Sequence, residues 1–167
     1  PSGDTLNIIG VGDYAAASAS EYATYNNDIN TGIFPYVGVS GLGGKIHPVP
    51  GNWDYSVDAD LSSFNDYFAI TGTGSANRYF QNRKVTLGNV DYFLIDSVNI
   101  KDAASVFAAQ ALPEGQFLIT GIPAATSPFK VVVWHYPSHT SSSHHSQTSY
   151  TSQRWNWSGL GVNAVFS

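Results

Sequence analysis

The stretch Val131-Val132-Val133-Trp134-His135-Tyr136-Pro137 decides the fold class that we predict for this chain. Its β-branched run predicts a buried strand, and the His, Pro and Ser residues that follow predict a loop at the carboxyl end of that strand. In open α/β sheets, ligands bind at this edge. Because four of the five histidines lie within residues 135–145, the loop brings side chains that bind metals and carry protons to that edge.

Two earlier segments repeat this layout, with a short extended stretch followed by glycine and an oxygen ligand. Residues 6–13 end in Gly12-Asp13, and residues 45–54 end in Gly51-Asn52-Trp53-Asp54. Singly, an Asp after Gly is commonly a turn or a helix cap, and a His after a strand is commonly a hydrogen-bonded loop residue. Together, Asp13, Asn52 and His135 at three strand ends predict a site for a hard-to-borderline divalent metal.

Four segments follow one another along the chain: Gly12-Asp13, Gly51-Asn52-Trp53-Asp54, Val133-Trp134-His135-Tyr136-Pro137 and His144-His145-Ser146. In this order they resemble the metal-binding blocks of the calcineurin-like metallophosphoesterases. The purple acid phosphatases and their relatives are the most similar branch. The connecting segments resemble the family as well, so the resemblance covers nearly the whole chain: residues 66–68, 78–80, 87–97, 127–131, 154–155 and 161–165.

The resemblance implies an α/β fold, with a metallophosphatase-like two-sheet sandwich flanked by helices and a single partial phosphoesterase domain over residues 1–167. It implies that Asp13 bridges two divalent or Fe, Zn or Mn-type metal ions, and that Asn52 and His135 hold the second. His144 would contact the phosphate of a phosphate ester substrate. Two such ions polarise phosphoryl oxygens and lower the pKa of a bound water to about 7, which implies phosphomonoester hydrolysis.

Three geometric expectations follow from this resemblance. Residues 8–11 and 131–134 should lie in one sheet. The side chains of Asp13, Asn52 and His135 should lie within about 7 Å of one another, because metal ligation needs bonds of roughly 2 Å. His144 should lie at the rim of the same cleft, and His139 should lie outside it.

The sequence also departs from the family pattern. Ala16 stands where the purple branch has a metal-binding Tyr, and Trp53 stands where the family has a His that bonds the phosphate. An indole donates one hydrogen bond but cannot shuttle a proton. No strand bearing the family's first Asp precedes Asp13, and the chain stops at Phe166-Ser167, where a Gly-His-x-His block would begin.

Two interpretations of these departures remain open. The first is a phosphoesterase fragment of a larger chain, whose outer metal-binding blocks lie elsewhere. Such a fragment is expected to bind metal weakly and to hydrolyse phosphate esters slowly or not at all. The second is a catalytically degraded relative with a structural or recognition role in an extracellular or virion assembly.

Composition limits the classes of binding partner and the cellular location that we expect for this chain. Charged residues make up 11% of the chain and the net charge is −5 with no basic block, so we expect no nucleic-acid partner. We find no signal peptide and no membrane span, and we expect no membrane partner. The low-charge surface, rich in Ser, Asn and Tyr, favours an extracellular or secreted protein. The absence of Met, with Pro at position 1, favours a fragment.

Local patterns predict the remaining elements. We expect helices over residues 15–25, 62–70 and 103–112, and loops over 26–44 and 138–152, the first with a short helix. Residues 78–87 and 90–95 predict two strands joined by a Gly88-Asn89 turn. Gly115, Gly121 and Pro123 weaken a helix over residues 113–128, which we therefore expect to be a connector.

Overall fold

The structure is a computed structural model, and it describes residues 7–28, 46–57, 59–68, 82–137 and 151–167. The chain divides into two compact units, Pro1–Gln81 and Asn82–Ser167. Among the residues that the structure describes, each unit contains one sheet and helices. The predicted mixed α/β class is therefore confirmed. The metallophosphatase-like sandwich and the single partial domain over residues 1–167 stay predictions.

The sheet of the first unit has two short parallel strands, β1 (Ile8–Gly10) and β2 (Ile46–Pro48), with Ile8 opposite Ile46 and Gly10 opposite Pro48. Because the strands are parallel, both carboxyl ends meet at one edge of the sheet. The helices of this unit are α1 (Ser20–Asp28), α2 (Asp54–Val57) and α3 (Ser62–Tyr67).

Aromatic rings form much of the core of the first unit. Phe64 on α3 and Phe68 just after it lie one helical turn apart, with their ring centroids 4.8 Å from each other. Tyr14 contacts Phe68 edge-on at 5.0 Å, and Tyr22 contacts Phe64 at 6.0 Å. All four residues are buried. This packing fixes the segment that immediately follows Asp13.

The second unit contains a four-stranded sheet with the order β3-β4-β5-β6. Its strands are β3 (Arg83–Leu87), β4 (Val90–Leu94), β5 (Phe129–Val133) and β6 (Ala164–Phe166). The β3–β4 pair is an antiparallel hairpin, and the other two pairs are parallel. The parallel β4–β5 connection contains α4 (Val98–Lys101), α5 (Val106–Ala111) and α6 (Pro113–Ala124).

A hydrophobic core lies against this sheet. Phe93 and Val132 project from neighbouring strands toward Leu118 and Ile122 of α6, and Trp134 joins the same cluster. Trp134 packs edge-on against two further tryptophans, at residues 155 and 157. No helix within the described residues is long and apolar enough to cross a membrane.

Most of the local predictions on described residues are confirmed. The hairpin, the strand after residue 128 and the short helix from Ser62 form as expected. The helix predicted over residues 15–25 begins only at Ser20, because the backbone N–H groups of Ala16 and Ala17 bond to the Glu21 carboxylate. The helix predicted over 103–112 is capped by the Ser105 hydroxyl and begins after it. The loops predicted over 26–44 and 138–152 are wrong where they are described, because residues 26–28 belong to α1 and residues 151–152 to a short 3₁₀ helix. The other residues of both loops lie outside the described residues.

The connector predicted over residues 113–128 is wrong, because α6 occupies most of it. Pro113 takes the first helical position, where its missing N–H costs nothing. Gly115 lies against α5, and a Cβ there would come 2.2 Å from the Ala109 carbonyl oxygen. The close packing of α5 against α6 therefore requires glycine at this position, and this glycine does not break the helix.

The prediction that residues 8–11 and 131–134 share one sheet is wrong for the described strands. β1 pairs with β2, whereas β5 has β4 on one side and β6 on the other. Hydrophobic periodicity indicates that a strand is buried, but it does not identify the strand that occupies each of its edges.

Candidate functional site

The first part of the candidate site is the turn after β1. Gly12 has a φ of 103° and Asp13 a φ of 59°, so two successive residues adopt the left-handed region. Gly has no Cβ to clash there, and Asp is one of the few other residues that tolerates this conformation. The turn leaves the Asp13 side chain exposed at the carboxyl edge of the sheet. Backbone strain of this kind is concentrated at functional sites.

A buried carboxylate, that of Asp54, joins this turn to the turn after β2. Its Oδ2 accepts hydrogen bonds from the backbone N–H of Asp13 at 3.0 Å and of Gly51 at 2.8 Å. Its Oδ1 accepts from Tyr14 at 3.1 Å and from Ala15 at 3.2 Å. The Asp54 residue is 0% exposed. One side chain thus satisfies four backbone donors from segments some 40 residues apart in the sequence.

A second bond joins the turns in the opposite direction. The Asp13 Oδ1 accepts a hydrogen bond from the Trp53 backbone N–H at 3.0 Å. A Cβ on Gly51 would lie 2.1 Å from that same Asp13 oxygen, so glycine is required at this close approach. The two turns are therefore one bonded structure, which we call the Asp13–Asp54 brace (residues 12–15 and 51–54).

Asn52 is held within this brace. It is half-buried, and the backbone N–H groups on either side of it, those of Gly51 and Trp53, bond to the Asp54 and Asp13 carboxylates. The brace therefore sets the Asn52 backbone at the same sheet edge as the Asp13 carboxylate. The structure brings these two predicted ligands to one place in the first unit.

Burial raises the pKa of the Asp54 carboxyl above its ordinary value near 3.8. The four backbone N–H donors oppose that rise, because they bind the ionised form best. Main-chain N–H groups of the brace thus compensate the cost of burying this carboxylate.

The second unit presents His135 at the end of β5. The Ser97 hydroxyl, which is 0% exposed, accepts hydrogen bonds from the backbone N–H of His135 and of Tyr136, both at 3.1 Å. Ser97 itself follows β4, the parallel neighbour of β5, so the two strand ends meet at this hydroxyl. The His135 ring is half-buried and packs edge-on against Tyr136 at 5.0 Å.

The predicted site residues are thus distributed over both units. Asp13 and Asn52 lie in the first unit and His135 in the second. His144 and His139 lie outside the described residues. Within the described ranges, no three or more His, Asp or Glu residues form a group that could hold a metal ion. The convergence of Asp13, Asn52 and His135 within about 7 Å stays a prediction.

Asp54 and Ser97 are important for this geometry, but the sequence alone predicted no role for either residue. Asp54 is an acid three positions after the turn glycine Gly51, a spacing that lets its carboxylate return to that glycine's N–H. Ser97 is a small hydroxyl residue just beyond a β-branched and aromatic run. These spacings are the available signals, and neither identifies the distant donors.

Comparison with known proteins finds no family model that matches this chain and no match among the curated proteins.

Proposed function

We propose that this chain carries part of a metal-dependent phosphoesterase site of the calcineurin-like type, acting on phosphomonoesters in the manner of an acid phosphatase. The observation that supports this proposal is the Asp13–Asp54 brace. It fixes an exposed carboxylate and an amide-bearing residue side by side at the carboxyl edge of two parallel strands, where α/β proteins bind ligands.

The donor set fits a metal ion. The Asp13 carboxylate is oriented by the Trp53 N–H on one oxygen, and carboxylate and amide oxygens suit hard divalent ions. The imidazole of His135 suits iron or zinc, and the oxygen ligands of Asp13 and Asn52 also suit manganese. We propose that Asp13 bridges two ions, that Asn52 and His135 complete the second site, and that His144 contacts the phosphate. Bound ions of this kind supply charge stabilisation and an activated water.

The neighbouring residues set limits on this chemistry. Trp53 supplies no transferable proton, so the proposed reaction favours esters whose leaving group needs none, such as aryl phosphates. A positioned acid commonly contributes about 10²–10⁴-fold to a rate, so slow turnover is expected. We further propose a two-sheet sandwich flanked by helices as the fold that unites these residues, and an extracellular location.

One observation favours a second candidate, a degraded relative that recognises a ligand without turning it over. Trp53 is 51% exposed beside Asp13, and Ala16 offers no ligand atom. A large apolar ring beside the site is suited to contact and unsuited to acid catalysis.

Both candidates are tested by measuring Mn²⁺ binding and the hydrolysis of p-nitrophenyl phosphate by the 167-residue chain. The phosphoesterase proposal expects weak binding and slow metal-dependent hydrolysis, both lost in Asp13→Asn and reduced in His135→Ala. Asp66→Asn is the control, because Asp66 is an exposed acid on α3 that forms none of the hydrogen bonds described for the brace. Metal binding with no hydrolysis fits an inactive fragment and the degraded relative alike, whereas metal-dependent hydrolysis rejects the degraded relative and the absence of Asp13-dependent metal binding contradicts both candidates.

A further inference from the structure

We infer that the Trp53 indole is a stacking surface that selects phosphate esters with an aromatic leaving group, an inference that rests on the proposed function. Trp53 is the largest side chain of the brace and is 51% exposed. The other three tryptophans, at residues 134, 155 and 157, pack against one another in the second unit. Trp53 alone among the four makes no ring contact within the part of the chain that the structure describes.

The backbone of Trp53 is fixed, although its ring is exposed. Its N–H donates to the Asp13 Oδ1 at 3.0 Å, and its carbonyl accepts from the Ser56 N–H at 2.9 Å at the start of α2. The adjacent Asp54 is buried and holds four further bonds. Because this backbone is already ordered, a ligand that packs against the indole has only side-chain torsions to restrict.

The surroundings of the ring indicate the chemistry of its ligand. Val11, the residue just before the first turn of the brace, is 39% exposed, so exposed apolar side chains occur at Trp53 and next to the other turn. The Asp13 carboxylate needs a bound cation before it can lie close to a phosphate. A ligand that satisfies all of these groups carries a phosphate for the ion and a flat ring for the indole.

Stacking on an exposed indole makes a measurable contribution to affinity. Base–aromatic stacking is commonly large enough that removing the aromatic ring weakens binding by roughly fivefold or more. The ring-bearing part can be a phenyl group or a nucleobase, because both offer the same π face. Phenyl phosphate and adenosine 5′-monophosphate are therefore the two probes, and glycerol 2-phosphate is the ringless control.

The test measures dissociation constants by ligand-observed NMR with Mn²⁺ present. Trp53→Leu is expected to weaken binding of at least one ring-bearing probe by about fivefold or more. Trp53→Phe should stay within about twofold of the native chain, and glycerol 2-phosphate should bind all forms alike. Phe107→Leu, which alters an exposed ring on α5 in the second unit, is the matched control. Equal binding of ringed and ringless esters, or no effect of Trp53→Leu, overturns the inference.

A metal-free arm separates this inference from the proposed function. Adenosine and phenol lack phosphate, and stacking should still protect Trp53 from acrylamide quenching in the native chain and in Asp13→Asn. Protection with no Mn²⁺-dependent phosphate binding upholds the stacking surface and rejects the phosphoesterase. Metal-dependent hydrolysis with no protection and no ring preference rejects the stacking surface and leaves the phosphoesterase in place.

Discussion

Asp54 stabilises the brace through four hydrogen bonds, which its fully buried carboxylate accepts from backbone N–H groups. Asp54→Asn replaces one acceptor oxygen with an NH₂ group that faces donors. We expect a loss of about 2–4 kcal/mol in the free energy of unfolding, since bonds to charged groups are worth about 1.5–3 kcal/mol each and buried donors lose their partner. Urea unfolding followed by circular dichroism measures this loss. Asp66→Asn should stay within about 0.5 kcal/mol of the native chain.

Ser97 has the corresponding role in the second unit, where it accepts the backbone N–H bonds of His135 and Tyr136. Ser97→Ala leaves both donors without that acceptor, and we expect a loss of about 1–3 kcal/mol in the free energy of unfolding. Ser105→Ala is the comparison, because its exposed hydroxyl accepts a single bond from the Ala108 N–H and caps α5. A smaller loss of about 1 kcal/mol is expected there. Equal losses in the two variants would show that Ser97 has no special role.

At this scale the sequence indicated the proposed ligand residues, but it did not indicate the residues that hold them in place. Asp13 and Asn52 follow glycines at strand ends, a local pattern that can be read directly. Three of the four backbone partners of Asp54 lie some 40 residues away in the sequence, and backbone donors have no sequence signature. The left-handed conformation of Asp13 could not be predicted either. Gly12 indicates a turn, but it does not indicate which residues of that turn adopt the left-handed region.

The packing of α5 against α6 explains why a segment with two glycines is helical. A Cβ on Gly115 would lie 2.2 Å from the Ala109 carbonyl oxygen and 2.6 Å from the Gln110 Cα, both backbone atoms. Gly115→Ala should therefore destabilise the chain by about 1–3 kcal/mol, as overpacking does, despite the better helix propensity of alanine. Gly121→Ala is the matched control, because its Cβ meets only the Phe93 ring, at 3.2 Å. We expect it within about 1 kcal/mol of the native value, by urea unfolding.

The β3–β4 hairpin contains a buried carboxylate, Asp91, that makes its stability depend on pH. The Thr86 hydroxyl, and to a smaller extent Lys84, hold the pKa of Asp91 below its ordinary value near 3.8. The stabilisation is therefore present above pH 3.8 and is lost as the pH falls through the lower folded-state pKa. The Lys84 side chain is 41% exposed, so its ion pair adds little.

Asp91→Asn should be less stable than the native chain by about 1–2 kcal/mol at pH 7, by the loss of a charged hydrogen-bond acceptor. The difference should shrink as the pH falls below 3.8. Urea unfolding at pH 7 and at acid pH, followed by tryptophan fluorescence, measures both values. Asp102→Asn removes an exposed acid of the same unit and should change stability by less than about 0.5 kcal/mol. A pH-independent difference for Asp91→Asn would contradict this account.

At the scale of the whole molecule, the sequence predicted the α/β class but not the distribution of strands between sheets. Strand-like runs alternate with helical ones, and this alternation fixes the class. Pairing depends on which edges are already occupied, and β5 is flanked by β4 and β6. Gly115 shows the same limit for helices, because the close approach that requires it exists only after α5 and α6 have packed.

The proposed function assigns Asp13 and His135 to one metal ion, and a double-mutant cycle between these two residues tests whether they share it. If they do, each of Asp13→Asn and His135→Ala should raise the Kd for Mn²⁺ by about tenfold or more, a change of about 1.4 kcal/mol. The double variant should then have a Kd for Mn²⁺ close to that of the single variant that binds more weakly. The two effects will not add, because the first substitution has already removed the shared site. Independent sites would give additive losses of binding free energy.

Titration calorimetry with millimolar Mn²⁺ measures the four dissociation constants. Asp66→Asn with His135→Ala forms a control cycle, in which the two changes in binding free energy should be additive. Additivity between Asp13 and His135 would place them on separate sites and would remove the dinuclear centre from the proposed function, even if Asp13 alone still bound an ion.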